Sequence, residues 1–242
     1  MRIYETEHYD AMSLQAARVI AAQLLIKPDS VLGLATGSTP VGLYRKLIEW
    51  YQEGTMDFSQ ARSINLDEYV GLDGSHDQSY RYFMEKNLFD HVNIVPENAY
   101  VPDGKAADPA AEGACYDALI QALGGIDLQL LGLGRNGHIG FNEPGDAFVP
   151  GTHLVDLAQS TVDANARFFA HIDLVPRQAI TMGIAGILQA GQILVAVSGA
   201  DKADAVYAAF RGPVTPACPA SILQLHPDVI LVGDKAALSK LN

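Results

Sequence analysis

Three short stretches of the chain carry residues able to move protons beside a bound anion. Residues 130–145, LLGLGRNGHIGFNEPG, run from an apolar segment into a glycine-dense turn that holds Asn136, His138 and Glu143. An imidazole titrates near neutral pH and serves as acid or base, and a nearby carboxylate can orient it. Pro144 and Gly145 follow Glu143 at once and discourage a helix, so this chemistry sits on irregular backbone. The second stretch is Thr36-Gly37-Ser38-Thr39-Pro40. Small hydroxyl residues and a glycine ahead of a helix let a phosphate approach exposed N–H groups, although Ser38 or Thr39 could equally be a plain helix cap. The third, Asn65-Leu66-Asp67-Glu68-Tyr69, places consecutive acids at a strand end, where successive side chains point to opposite faces. At most one of Asp67 and Glu68 therefore faces a cleft, and Asp67 could instead be a turn or cap residue.

Gly132, Gly134 and Gly137 also satisfy the G-x-G-x-x-G spacing of dinucleotide sites, with Asp156 about where a ribose-binding acid belongs. That motif needs its third glycine to open a helix, whereas Gly137 leads into His138, Gly140 and the Asn-Glu-Pro-Gly turn, so no dinucleotide is expected. The histidines are scattered without an H-x-x-x-H pair, and no metal or other cofactor is expected either.

The elements that must position these residues follow from periodicity. Apolar spacing predicts helices over 11–26, 41–51, 78–88, 110–123, 203–210 and 235–241, and apolar runs predict strands over 31–35, 61–66, 126–133, 192–197 and 229–233. Residues 153–157 suit a short strand, 178–182 a strand or helix start, 96–109 a polar connection, 145–151 a flap or loop, and 212–219 a proline-rich loop. Arg167 closes the segment 160–169, and Lys202 stands at a helix start, where a cation opposes the helix dipole unless an anion is near; a solvated lysine is the plain alternative. Alternating strands and helices without a linker predict an α/β fold: a single doubly wound, mainly parallel, Rossmann-like sheet with helices on both faces, forming one domain over residues 1–242. In such a sheet the strand ends bearing Thr36 to Thr39, Asp67, His138 and Lys202 converge on one edge.

Composition limits the partners. The 242 residues carry a net charge of −12, from 28 acids against 16 bases, with no basic tract to hold a nucleic-acid backbone. A small phosphorylated compound remains suitable, since a few local cations and N–H groups bind it. Cys115 and Cys218 form no C-x-x-C pair, the N-terminus has no apolar core of a secretion signal, and no run is long enough to span a membrane. A reduced, cytoplasmic setting is expected.

Taken together, LGLATGSTPVGLY, NLDEYVGL, LGLGRNGHIGFNEPG, NARFF and VPRQAITMGI closely resemble the glucosamine-6-phosphate deaminase (glucosamine-6-phosphate isomerase) family, in order and at matching intervals over essentially the whole chain. The resemblance implies conversion of glucosamine 6-phosphate and water to fructose 6-phosphate and ammonia. It implies that the turn Thr36, Gly37, Ser38 and Thr39 holds the phosphate with Arg167 and Lys202, that His138 assists ring opening with Glu143 behind it, and that Asp67 carries the C2 proton to C1. Some family members have an acid where this chain has Asn136, so support of His138 is expected to rest on Glu143. Allosteric hexamers of the family carry a basic effector site after the Glu-Pro and a longer C-terminal segment. Residues 146–155 here contain no Arg or Lys, and the chain stops short of that segment, so a non-allosteric monomer or small homo-oligomer is expected rather than a hexamer. Two related readings differ at particular residues. The 6-phosphogluconolactonases resemble D-E-R and G-H-T-A-S-L-F-P-G where this chain has Asp67-Glu68-Tyr69 and HIGFNEPG, and sugar-phosphate-sensing regulators would need a DNA-binding domain.

Overall fold

Residues 1–166, 169 and 171–241 are described by the computed structural model. In chain order the strands are β1 (Arg2–Thr6), β2 (Val31–Leu34), β3 (Arg62–Asn65), β4 (Asp67–Tyr69), β5 (Ala99–Tyr100), β6 (Leu128–Leu131), β7 (His153–Asp156), β8 (Gln178–Thr181), β9 (Gln192–Val197) and β10 (Val229–Asp234). The α-helices are α1 (Tyr9–Ile26), α2 (Val41–Gln52), α3 (Tyr80–Asn87), α4 (Pro109–Ala122), α5 (Gln159–Asn165), α6 (Ile184–Leu188), α7 (Ala203–Arg211) and α8 (Lys235–Leu238).

Seven strands pair in the order β1-β10-β9-β6-β2-β3-β5, every pairing parallel. Helices cover the sheet, so the residues of β2, β6 and β10 are all buried and, apart from Gln129 and Asp234, read as apolar runs rather than alternating ones. This is the mainly parallel, doubly wound sheet expected from the sequence. From β2 the chain moves to β3 on one side and later returns to place β6 on the other, so the topological switch lies between β2 and β6. Gln129 of β6 is fully buried there, and it occupies the room left by Gly33: a Cβ on Gly33 would lie 2.1 Å from the Gln129 Oε1.

A second sheet of order β4-β8-β7, antiparallel throughout, stands beside the first. The sequence pattern placed Asp67 to Tyr69 at the end of the preceding strand rather than in one of their own, because Leu66 alone separates β3 from β4 and no turn residue marks the change. Leu66 is the joint: its N–H donates to Leu34 O at 3.2 Å, and its carbonyl accepts from Met182 N at 2.7 Å. The buried hydroxyl of Tyr116 on α4 donates to Asn65 O at 2.8 Å and fixes the carbonyl where the chain leaves the parallel sheet. Tyr69, Phe141, Leu157, Val162, Val175 and Ala179 form a small apolar core of their own around the second sheet. Two strands lie where the sequence pattern showed none: β1 is largely exposed, and β5 is too short to carry a period. α8 ends at Leu238, short of the expected residue 241. Among the described residues no helix is long and apolar enough to cross a membrane.

Gly183 ties β8 to α6 under the loop that leads into β7. A Cβ there would stand 2.1 Å from Gly151 O and 2.3 Å from Pro150 O, both backbone atoms. Gly183→Ala should therefore cost about 1–3 kcal/mol, read as a lower urea midpoint at unchanged m-value.

Candidate active site

The parallel order fixes where the candidate residues meet. β9, β6, β2 and β3 are consecutive neighbours, so the segments after their carboxyl ends lie side by side at one edge, astride the switch point. Those four segments carry Lys202, His138, the Thr36 turn and Asp67.

After β2, Gly37 adopts a φ of +92°, a left-handed conformation that suits glycine. Ser38 is exposed and Thr36 and Thr39 are half-buried. α2 starts behind Pro40 with no side-chain hydrogen bond at its cap, so neither Ser38 nor Thr39 is the plain cap that the sequence allowed. The Tyr9 hydroxyl of α1 fastens the turn, lying 3.1 Å from Ser38 O and 3.2 Å from Thr39 O while accepting from Gly42 N at 2.8 Å.

The two acids of β4 diverge as the strand pleat requires. Asp67 is 6% exposed, and burial first, then repulsion from Glu68, push its carboxyl up to about 8. It faces the His138 loop: a Cβ on Gly140 would be 3.4 Å from Asp67 Oδ2 and 2.9 Å from Thr181 Oγ1. Glu68 turns the other way and accepts the N–H groups of Tyr69 and Tyr80 at 2.8 Å and of Arg81 at 2.9 Å. Burial raises its pKa and those three donors oppose the rise. Glu68 thereby anchors the first turn of α3. Tyr80 is set with its ring stacked on Phe141 at 5.8 Å and 11°, and its hydroxyl is 3.3 Å from that of Tyr69 and against Thr36. Tyr80 thus touches three of the site's segments, and sequence reasoning missed it, because a tyrosine at the start of an ordinary amphipathic helix carries no signal of its own.

The His138 loop needs its glycines for close approach. The imidazole lies on Gly134, where a Cβ would be 2.4 Å from three ring atoms, and Gly137 (φ +84°) and Gly140 (φ +58°) turn the chain. His138 Nδ1 lies 3.4 Å from Glu143 Oε2. Asn136 does not support the ring directly: its Nδ2 donates to Glu143 Oε2 at 2.7 Å, and its Oδ1 accepts from the His138 backbone N at 3.2 Å. The Thr161 hydroxyl donates to Glu143 Oε1. Burial by itself would raise the Glu143 pKa, but His138, Thr161 and Asn136 outweigh it and hold the carboxyl down at about 2. The loop is fixed from below by Ala220 N donating to Gly137 O at 2.8 Å, and by Gly145 N donating to Pro216 O at 3.1 Å.

Lys202, at the start of α7, donates to Leu133 O at 2.7 Å, and burial lowers its pKa against the pull of Asp201. It therefore stands at the end of β6, one residue from the glycine under His138, rather than free in solvent. Arg167, the other expected cation, lies outside the described residues. Two carboxyls with opposite shifts, a half-buried one ionised beside an imidazole and a buried one that binds its proton near neutral pH, make a site suited to moving protons.

Residues 5–231 match the family model described as glucosamine-6-phosphate isomerases/6-phosphogluconolactonase. The chain is 59% identical over 232 residues to a glucosamine-6-phosphate deaminase of Lachnoclostridium phytofermentans, covering 96% of this chain and 98% of that protein. It is 57% identical over 242 residues to one of Clostridium perfringens, covering 100% of both. Among solved structures, a monomeric glucosamine-6-phosphate deaminase superposes with a TM-score of 0.96 at 45% identity, over 99% of this chain and 100% of that one. A 6-phosphogluconolactonase of Trypanosoma cruzi reaches 0.80 at 18% identity, over 100% of this chain and 97% of that one, a likeness of fold alone.

The raised Asp67 pKa has a consequence for stability. An ordinary aspartate titrates near 3.8, so between there and about 8 the unfolded chain binds fewer protons than the folded one, and stability falls as pH rises through that window. Asp67→Asn removes the loss. Its stability advantage over the wild-type protein, measured by urea unfolding, should grow from about pH 4 to about pH 8, reach a few kcal/mol and then level off.

Proposed function

The chain belongs to the glucosamine-6-phosphate isomerase/6-phosphogluconolactonase family, and within it we propose that the protein is a glucosamine-6-phosphate deaminase, converting glucosamine 6-phosphate and water to fructose 6-phosphate and ammonia. The observation that carries this reading is the pairing of a high-pKa Asp67, turned toward the His138 loop at Gly140, with an ionised Glu143 beside the imidazole.

The substrate phosphate is held by the turn Thr36, Gly37, Ser38 and Thr39, with Lys202 and Arg167 as its cations. His138 moves a proton at the ring oxygen and opens the pyranose, while Glu143 orients the imidazole. Asp67 then removes the proton from C2 and returns it to C1. The C2–H bond breaks, C1–H forms, and the aldose amine passes through an enolamine to a ketose imine. Water adds to that imine, whose C–N bond breaks to release ammonia and leave the ketone of fructose 6-phosphate. A carboxyl whose proton affinity has been raised suits both halves of the transfer, because it accepts a carbon-bound proton more readily than an ordinary aspartate and can still return it. Glu68 contributes to that affinity from the far face of β4.

The same reading has residues 1–242 act as one domain, in the cytoplasm, as a monomer or small homo-oligomer without effector control. Support for the last point comes from the lack of Arg and Lys over residues 146–155 and from the likeness to a deaminase described as monomeric.

Incubation with glucosamine 6-phosphate should yield equal amounts of ammonia and fructose 6-phosphate; no product, alongside rapid hydrolysis of 6-phosphogluconolactone, would overturn the assignment. Asp67→Asn should lower kcat by roughly 10²–10⁴-fold with substrate still bound in equilibrium dialysis, and near-normal ammonia release would remove Asp67 from the mechanism. Because the base must be ionised, kcat/KM should climb with pH and flatten above about 8, and Glu68→Gln should move that shoulder to lower pH. Gly134→Ala, which drives a methyl into the imidazole, should cost about 10-fold or more in kcat with a smaller change in KM.

A further inference from the structure

We propose that Thr161 is a positioning residue for ring opening: its hydroxyl holds one oxygen of Glu143 so that the other faces His138. The inference rests on the deaminase reading above.

A carboxylate turns readily about its terminal torsion, whose preference is broad and two-fold. The Asn136 amide holds Oε2 from within the same loop. A carboxylate held at one oxygen can still swing about that contact. The second point of attachment comes from α5, where the Thr161 hydroxyl donates to Oε1. With both oxygens engaged, the plane of the carboxylate is set, and Oε2 lies 3.4 Å from the imidazole Nδ1.

Two features separate this from an incidental contact. A threonine near the start of a helix commonly turns its hydroxyl to nearby backbone, but Thr161, only 8% exposed, directs its proton to a carboxylate of another segment. The neighbouring Val162 is fully buried in the small core with Tyr69, Phe141, Leu157 and Val175. The height of α5 over the His138 loop is therefore fixed by the antiparallel sheet, while Asn136 and His138 hang from the parallel one. Glu143 is the side chain that both sheets position, and Thr161 is the hydroxyl through which the second acts on it.

Thr161→Val keeps the shape and removes the donor, and Thr161→Ser keeps the donor. Thr161→Val should lower kcat on glucosamine 6-phosphate by roughly 10-fold. Its KM, and its affinity for the open-chain 2-amino-2-deoxyglucitol 6-phosphate, which has no ring to open, should stay within about twofold of wild type. Thr161→Ser should restore most of kcat. The ring ¹⁵N resonances of His138 should move in the valine variant and return in the serine variant, and unfolding midpoints establish that both variants fold. Unchanged kcat and unchanged His138 resonances in a folded Thr161→Val protein would overturn the proposal, as would a folded serine variant as impaired as the valine one. A wild-type protein that does not turn over glucosamine 6-phosphate would instead sink the deaminase reading, and the His138 resonances would still read the Glu143 contact in that case.

Discussion

Parallel hydrogen bonding between β9, β6, β2 and β3 is the constraint on which the rest of this structure depends. Parallel neighbours must run in one direction, so all four deliver the chain to the same edge, and the residues after them meet although they are far apart in sequence. The strand order reverses between β2 and β6, the position at which sheets of this kind leave a ligand crevice. The Thr36 turn lies on one side of that crevice and the His138 loop on the other. Each is pinned from behind by a distant element: Tyr9 for the turn, and Ala220 and Pro216 for the loop.

The short antiparallel sheet adds what parallel strands cannot. It takes the chain at Leu66, turns Asp67 toward the His138 loop and Glu68 into the start of α3, and brings Thr181 under Phe141 N and Gly140. Electrostatics then follow from burial and partners. Asp67 is buried beside another acid and holds its proton to about 8, whereas Glu143, half-buried, is surrounded by donors and an imidazole and ionises at about 2. One residue type of chemistry is thereby split into two tasks by its surroundings. In a chain of net charge −12, Lys202 is drawn against the end of β6, where its ammonium donates to Leu133 O.

Asn136 illustrates how far residue identity carries. The sequence marked it as a departure from relatives with an acid and left Glu143 as the support of the imidazole, and the ring's approach is indeed to Glu143. What the sequence did not hold is that the amide remains part of the same cluster, donating to Glu143 with its nitrogen and accepting the His138 backbone N–H with its oxygen. An aspartate could not make that donation while ionised, so the substitution changes the wiring of the loop rather than deleting a contact. Tyr80, Thr181 and Thr161 carried no signal at all, because each acts through a partner distant in sequence.

The sequence by itself determined the mainly parallel α/β sheet and the family, and it marked Asp67, His138, Glu143 and the Thr36 to Thr39 turn as candidate groups. Buried parallel strands must be apolar along their length, and glycine-rich, proline-stopped turns must follow them, and both are local properties written in residue order. Only the tertiary structure decided that 61–69 is two strands in two sheets, that Asp67 and not Glu68 faces the site, and that Glu143 is held from both sheets at once. Those outcomes depend on burial depth and on contacts between segments remote in the chain. Neither has a period or a spacing that a single strand or helix could display.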